Sequence, residues 1–214
     1  MNRQEKQVIY KSTNTYETLN VLSDKTKNIW IVLHGIGYLS KYFIKYFDEL
    51  NPDENYIISP QAPSKYYLKN EYKHVGASWL TKENTTAEIK NIISYLNAIN
   101  KAENLPEHCK LLIFGFSQGV SIATRWVASE KIQCDNLVLY AGGIPNELTS
   151  EDFSFLRENN TKVTIVVGDR DEYINEEVLK KESQKAKLLF GGRAEHILFE
   201  GRHEIKKELL QQLI

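Results

Sequence analysis

Residues 110–119 read Lys-Leu-Leu-Ile-Phe-Gly-Phe-Ser-Gln-Gly, an apolar run that leads directly into a Gly-x-Ser-x-Gly pattern. The run 110–114 is typical of a buried strand, and residues 117–130 have the apolar period of a helix. Glycines on both sides of Ser117 allow a sharp turn between the two, because no Cβ atom then blocks the close approach of neighbouring elements. The stretch therefore predicts a nucleophile elbow that raises Ser117 above a sheet. An ordinary tight turn is the alternative.

Outside this stretch, other short apolar or β-branched runs alternate with segments of helical period. Strands that are apolar at nearly every position are typical of a parallel sheet buried on both faces. We therefore expect an α/β fold with a mostly parallel central sheet and helices on both faces. The predicted strands are 28–33, 56–59, 110–114, 136–141, 162–167 and 194–199, and the predicted helices are 41–50, 85–102, 117–130 and one from residue 204 onward.

Three local patterns refine this outline. Residues 7–11 and 16–21 alternate in polarity across a Ser-Thr-Asn-Thr break, which predicts an antiparallel hairpin at one edge of the sheet. Thr85 and Glu88 predict a capping box at the start of a helix. The connection 60–81 is rich in Lys and Tyr, and its length predicts a functional or mobile segment that shapes the substrate groove.

The composition is that of an ordinary globular protein, with 27 Lys and Arg residues against 28 Asp and Glu in 214 residues. A formal net charge of −1 gives no reason to expect a nucleic-acid partner. We expect one domain over residues 1–214 and no separate cap domain, because little chain remains outside the predicted elements. Cys109 and Cys134 fit neither a disulfide framework nor a zinc site, and we expect them to be buried apolar fillers.

The sequence also gives expectations about location. No apolar run approaches the 18 residues that a membrane helix needs, so we expect no integral membrane segment. The first eleven residues carry charges and no apolar core of a secretory signal. We therefore expect a cytoplasmic protein that acts on a small molecule. Its oligomeric state does not follow from the sequence.

A serine nucleophile needs a histidine base, and the base should come late in the chain. Five histidines occur, and only His196 and His203 follow the predicted acid region. His196 lies inside a predicted strand, whereas His203 follows the end of that strand. Because sites gather at the carboxyl ends of parallel strands, we expect His203 to be the base and His196 to be structural.

The acid should lie at the same edge of the sheet, after the strand 162–167. The sequence there offers Asp169, Asp171 and Glu172 as candidates. Asp169 is closest to the strand end and could equally brace the turn, so the residues alone do not decide between Asp169 and Asp171. The stretch lacks the glycine that a calcium loop requires, and we expect no metal ion and no cofactor.

The developing oxyanion needs two backbone N–H donors. One is expected from Gln118, the residue after the nucleophile, and the other from the loop after an earlier strand. The strand 28–33 leads into His34-Gly35-Ile36-Gly37. We expect Ile36 to be the second donor, with Gly37 as the reserve, and His34 to brace the loop.

Six short motifs follow one another along the chain: LHGIG at 33–37, AP at 62–63, SWL at 78–80, GFSQG at 115–119, GDRD at 168–171 and GRHE at 201–204. Over about residues 30–204 this ordered set resembles the phospholipase/carboxylesterase family of small α/β-hydrolases, which includes bacterial carboxylesterases and acyl-protein thioesterases. The resemblance implies the α/β-hydrolase fold. It also implies that the acid is the last residue of the GDRD motif, Asp171, and supports Ile36 and Gln118 as the oxyanion pair.

The resemblance further suggests residues that bind substrate. Trp79 matches a family tryptophan near the substrate groove, and Gly37 and Tyr38 lie on or just after the oxyanion turn. The residues that follow Tyr38 and Trp79 differ from the family pattern, which places the differences at the rim of the site.

Together these features predict a serine hydrolase of short-chain carboxylic esters that forms an acyl-enzyme on Ser117 with His203 and Asp171. An acyl thioesterase or a lysophospholipase with the same triad is one alternative. A catalytically silent hydrolase fold that only binds ligands is the other.

Overall fold

A seven-stranded sheet forms the centre of the structure, a computed structural model that describes residues 2–214. The strand order is β1-β3-β2-β6-β7-β8-β9, with β1 antiparallel to β3 and every other neighbouring pair parallel. The prediction of a mostly parallel sheet is confirmed. The strands of this sheet are β1 (Tyr16–Leu19), β2 (Asn28–Leu33), β3 (Asn55–Pro60), β6 (Lys110–Phe116), β7 (Asn136–Tyr140), β8 (Lys162–Gly168) and β9 (Glu195–Phe199).

Helices cover both faces of this sheet, as predicted. All of β2 is buried, and its side chains alternate between two apolar clusters: Ile29 and Ile31 belong to one, and Trp30 and Val32 to the other. The helices are α1 (Ser40–Phe43), α2 (Thr85–Glu103), α3 (Gln118–Glu130), α4 (Ser154–Glu158), α5 (Glu176–Phe190) and α6 (Lys207–Leu210). In the described part of the chain, no helix has both the length and the apolar character needed to cross a membrane.

Two helices differ from their predicted extents, and two others, α4 and α5, were not predicted. The predicted helix 41–50 is α1 continued by a short 3-10 turn, Ile44–Phe47, and the C-terminal one is α6 continued by Gln211–Leu213. The helix α5 was not predicted from the sequence, because seven of its 15 residues are charged and only Ala186, Leu189 and Phe190 are buried. This omission matters for the site described below.

The N-terminal edge of the sheet is antiparallel, as predicted, but its partner is different. β1 pairs with β3, with Tyr16 opposite Pro60, and residues 7–11 form no strand. Tyr16 packs against the apolar core, whereas Val8 and Ile9 are 85% and 101% exposed. A strand at 7–11 would lie outside β1, where its apolar side chains have no core to cover.

The predicted capping box at Thr85 does not form. Asn84 precedes α2 in the left-handed region, at φ 49° and ψ 31°, so Thr85 is already the first helical residue. The Thr85 hydroxyl donates instead to the Thr81 carbonyl at 2.9 Å. Asparagine tolerates this backbone conformation better than most residues, which explains why the helix begins there.

The connection 60–81 contains an antiparallel hairpin of two short strands, β4 (Ser64–Tyr67) and β5 (Val75–Ser78). Its base packs on the turn after β2, where the Gly37 N–H donates to the Ala77 carbonyl at 2.8 Å. A Cβ atom at Gly76 would lie 2.6 Å from the Gly37 carbonyl oxygen, so only glycine permits this approach. The hairpin thereby holds one side of the candidate site in place.

Both cysteines are buried, as the sequence analysis expected. The Cys109 thiol donates to the Thr26 carbonyl at 3.1 Å. Burial raises the pKa of the Cys134 thiol to about 12, which keeps it protonated at neutral pH.

Candidate active site

The predicted strand-turn-helix junction at residues 115–119, which we call the elbow, is confirmed. Ser117 lies between β6 and α3 at φ 53° and ψ −117°, a strained conformation for a residue with a side chain. Its N–H donates to the Tyr140 carbonyl at 2.9 Å. A Cβ atom at Gly119 would lie 2.0 Å from the Leu33 carbonyl oxygen, so this position must be glycine.

A further glycine, which the sequence analysis did not single out, supports the elbow from the next strand. A Cβ atom at Gly142 would lie 2.3 Å from the Ser117 carbonyl oxygen. Gly142 and Gly143 lie one residue after the end of β7, at the same edge of the sheet as the end of β6. A glycine pair after a central strand was the signal that could have identified them.

The structure brings His203 and Asp171 together. The His203 Nδ1 lies 2.8 Å from the Asp171 Oδ2, and the Asp171 side chain is fully buried. The other Asp171 oxygen accepts the Tyr173 N–H at 2.9 Å. This carboxylate is therefore positioned to hold the imidazole with its proton on Nδ1.

The other acid and base candidates lie elsewhere. Asp169 accepts the Gly201 N–H at 2.9 Å and braces the turn between β8 and the loop after β9. The Glu172 carboxylate accepts the His203 backbone N–H at 3.3 Å rather than contacting the imidazole. His196 is exposed on β9, at the edge of the sheet. Asp171 is therefore the carboxylate that is hydrogen-bonded to the imidazole of His203.

Two aromatic rings fix the orientation of the His203 imidazole. Phe116 lies on one side, with ring centroids 5.0 Å apart, and Tyr173 meets it edge-on at 4.8 Å. Phe116 is buried, whereas Tyr173 is 70% exposed. The imidazole is thus held between one fixed ring and one exposed ring.

Ser117 and His203 line the same cavity, which has a volume of about 480 Å³. Among residues 2–214, no hydrogen bond joins the Ser117 hydroxyl to His203. Such contacts are often long without substrate and shorten when substrate binds.

His34 braces the turn after β2, as predicted. It is fully buried, and its Nε2 accepts the Ala62 N–H at 3.1 Å. Its Nδ1 therefore carries the proton and donates to the Gly35 carbonyl at 2.8 Å. Burial lowers the pKa of His34 to about 4, so it is neutral at pH 7.

Two backbone N–H groups remain for an oxyanion. The Gly37 N–H already donates to the Ala77 carbonyl, which removes the reserve donor. The N–H groups of Ile36 and Gln118 have no acceptor among residues 2–214, and both residues line the cavity. Gln118 is the first residue of α3, where N–H groups have no acceptor within the helix and attract negative charge.

The Gln118 side chain ties the elbow to the end of the β4–β5 hairpin. Its Oε1 accepts the Trp79 N–H at 2.8 Å, and its Nε2 donates to the Leu80 carbonyl at 2.8 Å. The same residue thus offers a main-chain N–H to the cavity and holds a neighbouring segment with its side chain.

Two of the three residues expected to bind substrate do not line the cavity. Trp79 is fully buried, its indole N–H donates to the His34 carbonyl at 2.8 Å, and its ring packs on the His34 ring. Trp79 thus supports the turn after β2 with its ring and its N–H. Gly37 faces the hairpin instead, whereas Tyr38 does line the cavity.

Four residues between positions 173 and 182 form the outer side of the cavity, and we call these four the outer wall. They are Tyr173, Ile174, Val178 and Glu182, from the loop before α5 and the first turns of that helix. The sequence analysis expected the connection 60–81 to shape the groove, but none of its residues lines this cavity. The β4–β5 hairpin packs behind the turn after β2, and the loop before α5 and its first turns form the outer wall of the cavity.

Within residues 2–214, no group of His, Cys, Asp and Glu side chains is arranged to hold a metal ion.

A mostly parallel sheet with a strained serine between a strand and a helix, and a histidine and a carboxylate on later loops, defines the α/β-hydrolase fold. The phospholipase/carboxylesterase family model matches residues 14–214. The chain belongs to this family, and it is accordingly a hydrolase of ester or thioester bonds.

Solved structures agree with this fold over nearly the whole chain. Acyl-protein thioesterase 2 from Zea mays is 15% identical with a TM-score of 0.68, covering 94% of this chain and 96% of that one. A phospholipase/carboxylesterase from Dyadobacter fermentans is 19% identical with a TM-score of 0.65, covering 95% and 96%. The Bacillus cereus carboxylesterase is 16% identical with a TM-score of 0.63, covering 95% and 96%. No curated protein matches the chain.

Proposed function

We propose that this protein hydrolyses short-chain carboxylic esters through an acyl-enzyme formed on Ser117. The observation that carries the proposal is the 2.8 Å contact between His203 and the buried Asp171, in a cavity that Ser117 also lines. A serine hydroxyl is a weak nucleophile at neutral pH, and a histidine oriented by a carboxylate is the common means of activating it.

In the first half of the reaction, the Ser117 oxygen attacks the acyl carbon while the His203 Nε2 takes the hydroxyl proton. The Asp171 carboxylate stabilises the resulting imidazolium. When the tetrahedral intermediate collapses, the bond to the leaving oxygen breaks and His203 returns the proton to it. The alcohol leaves, and the acyl group remains on Ser117.

Water then completes the reaction by the same route. His203 takes a proton from the water as it attacks the acyl carbon, and gives it to the Ser117 oxygen as the acid leaves. In both halves, the N–H groups of Ile36 and Gln118 stabilise the oxyanion. Losing one such donor typically costs about 3 kcal/mol of barrier.

The dimensions of the cavity support a short acyl chain. A separate apolar crevice of about 20 Å³ lies beside the cavity, between α5 and the sheet, and shares Gly142 and Glu182 with it. A space of this size holds about one water molecule. A long acyl chain has no enclosed path there, which argues against a lysophospholipase or a long-chain thioesterase.

The test is Ser117→Ala, assayed with p-nitrophenyl butyrate. We expect kcat to fall on the order of 10⁶-fold, because the nucleophile is lost while the fold is kept. Ser129→Ala is a matched control, since Ser129 is an exposed serine on the same helix α3. Wild-type rates in Ser117→Ala would overturn the assignment.

A series of p-nitrophenyl esters and matching thioesters tests the substrate class. We expect kcat/KM to fall as the acyl chain grows beyond about four carbons, given the narrow crevice. If kcat/KM instead rose with acyl chains of up to twelve carbons, a lysophospholipase or a long-chain thioesterase would be favoured. Labelling by a fluorophosphonate probe distinguishes an active hydrolase from a silent binding module, which would form no adduct on Ser117.

A further inference from the structure

Glu182 places a carboxylate in the outer wall of the cavity that Ser117 lines. Its Oε2 accepts the Ile144 N–H at 2.8 Å, and its Oε1 accepts the Lys185 ammonium at 2.8 Å. Lys185 also donates to the Ile144 carbonyl at 2.7 Å. These three bonds hold the carboxylate in one place, and each of its oxygens keeps a free lone pair.

The floor of the cavity links this carboxylate to the nucleophile. Gly142 packs on the Ser117 carbonyl oxygen, as described above, and a Cβ atom at Gly143 would lie 3.8 Å from the Glu182 carboxylate. Ser117, Gly142, Gly143 and Glu182 all line this cavity, so a substrate bound at Ser117 can extend across the two glycines toward Glu182. Glycine at both positions leaves this path open.

The cation that pairs with this carboxylate, Lys185, is not among the residues that line the cavity. Of the residues that the structure describes, those that line the cavity include neither Lys nor Arg. The Lys185 ammonium is bonded to Glu182 and the Ile144 carbonyl, behind the carboxylate. Arg202, the arginine next to His203 in sequence, is exposed and lies close enough to Glu172 to favour its charged form.

From this arrangement we propose that Glu182 is a specificity-determining residue that selects cationic acyl esters, those with an ammonium group a few atoms from the ester, and disfavours anionic ones. The proposal rests on the function proposed above, since it names the substrate class of the same site. A fixed carboxylate in a partly closed cavity attracts a cation more strongly than an exposed one does, because less water screens it. The preference requires no movement of the wall.

The test compares substrates that differ only in charge. Butyrylcholine and 3,3-dimethylbutyl butyrate differ by a quaternary nitrogen in place of a carbon on the alcohol side. The p-nitrophenyl esters of 4-trimethylammoniobutanoate and 5,5-dimethylhexanoate form the same pair on the acyl side. We expect the wild-type enzyme to prefer the cationic ester in at least one pair by about tenfold in kcat/KM.

Three variants on α5 attribute this preference to Glu182. Glu182→Gln keeps the size and an acceptor for Ile144, and we expect it to abolish or reverse the preference. Lys185→Gln removes the compensating ammonium and should increase the preference. Glu177→Gln makes the same charge change at an exposed position of α5 and should leave it unchanged.

Equal kcat/KM values within both pairs, or a preference that survives in Glu182→Gln, would overturn the proposal. A binding measurement separates this outcome from a failure of the proposed reaction. Choline and 3,3-dimethylbutanol are titrated into the Ser117→Ala protein, with the amide signals of Gly142, Gly143 and Ile144 observed by NMR. Tighter binding of choline at these amides supports the role of Glu182 even if no ester is hydrolysed, and equal binding contradicts it.

Discussion

The elbow and the outer wall form opposite sides of one cavity, but they are built very differently. Behind the elbow, eight of the 13 residues of α3 are buried, and glycines bring backbones into direct contact. In the outer wall, Tyr173 is 70% exposed, and only three of the 15 residues of α5 are buried, all in its last turns. One side of the site is packed like a core, and the other like a surface.

This difference separates two tasks. A reacting serine must be held within a fraction of an ångström, and dense packing provides that precision. The groups that choose a substrate need contact with the cavity more than rigid backing, so a largely exposed helix can carry them. We therefore expect substitutions in the elbow to act through the fold and substitutions in the outer wall to act through kinetics.

The largest effect is expected at Gly119. An alanine there would place its Cβ 2.0 Å from the Leu33 carbonyl oxygen, and neither backbone can move without disturbing the sheet. We expect the free energy of unfolding to fall by about 4 kcal/mol or more, measured by urea denaturation. At Gly143 an added Cβ meets only ordinary contacts at 3.8 Å, so Gly143→Ala should change stability by about 1 kcal/mol or less. Similar losses in both variants would contradict the idea of a close-packed elbow.

Asp171→Asn should have the next largest effect, on rate rather than stability. The carboxylate is fully buried against His203, and an amide favours the wrong imidazole tautomer. We expect kcat to fall about 10⁴-fold. Asp169→Asn is the control, because that carboxylate bonds the Gly201 N–H and has no contact with the imidazole. A comparable fall in kcat for Asp169→Asn would reverse the assignment.

His34 should make the elbow side sensitive to acid. Its pKa is about 4 in the folded protein and about 6.5 in an unfolded chain, so only the unfolded state takes up a proton between these values. Stability should therefore fall as the pH drops from 6.5 to 4, by about 3 kcal/mol in total from this residue. Urea unfolding at several pH values measures this slope. The slope of the unfolding free energy against pH should become shallower in His34→Gln. It should not change in His196→Gln, because His196 is exposed.

The smallest effect is expected at Tyr173 in the outer wall. Its ring meets the His203 imidazole edge-on at 4.8 Å, a contact that contributes little beyond orientation. Tyr173→Ala should lower kcat/KM about fivefold with little change in unfolding, whereas Tyr173→Phe keeps the ring and should retain activity. A loss in Tyr173→Phe as large as in Tyr173→Ala would instead assign the role to the hydroxyl.

The elbow and the outer wall also differ in how well the sequence predicts them. The strands and the elbow were predictable because buried strands are apolar throughout and the turn at Ser117 demands glycine. The outer wall was not, because seven of the 15 residues of α5 are charged and only three are buried, so few apolar residues mark the helix. The burial of Trp79 could not be predicted either, because the sequence does not show whether a tryptophan contacts a ligand or supports a loop.

By itself, the sequence determined the α/β fold, the position of Ser117, and the carboxyl edge at which His203 and the acid candidates would meet. These features depend on local chemistry: apolar runs, glycine at forced turns, and chain order. Only the tertiary structure decided which backbone N–H groups lack an acceptor, that Trp79 is fully buried, and that Glu182 lines the cavity. Those outcomes depend on packing between segments far apart in the chain, and a list of residues does not contain those distances.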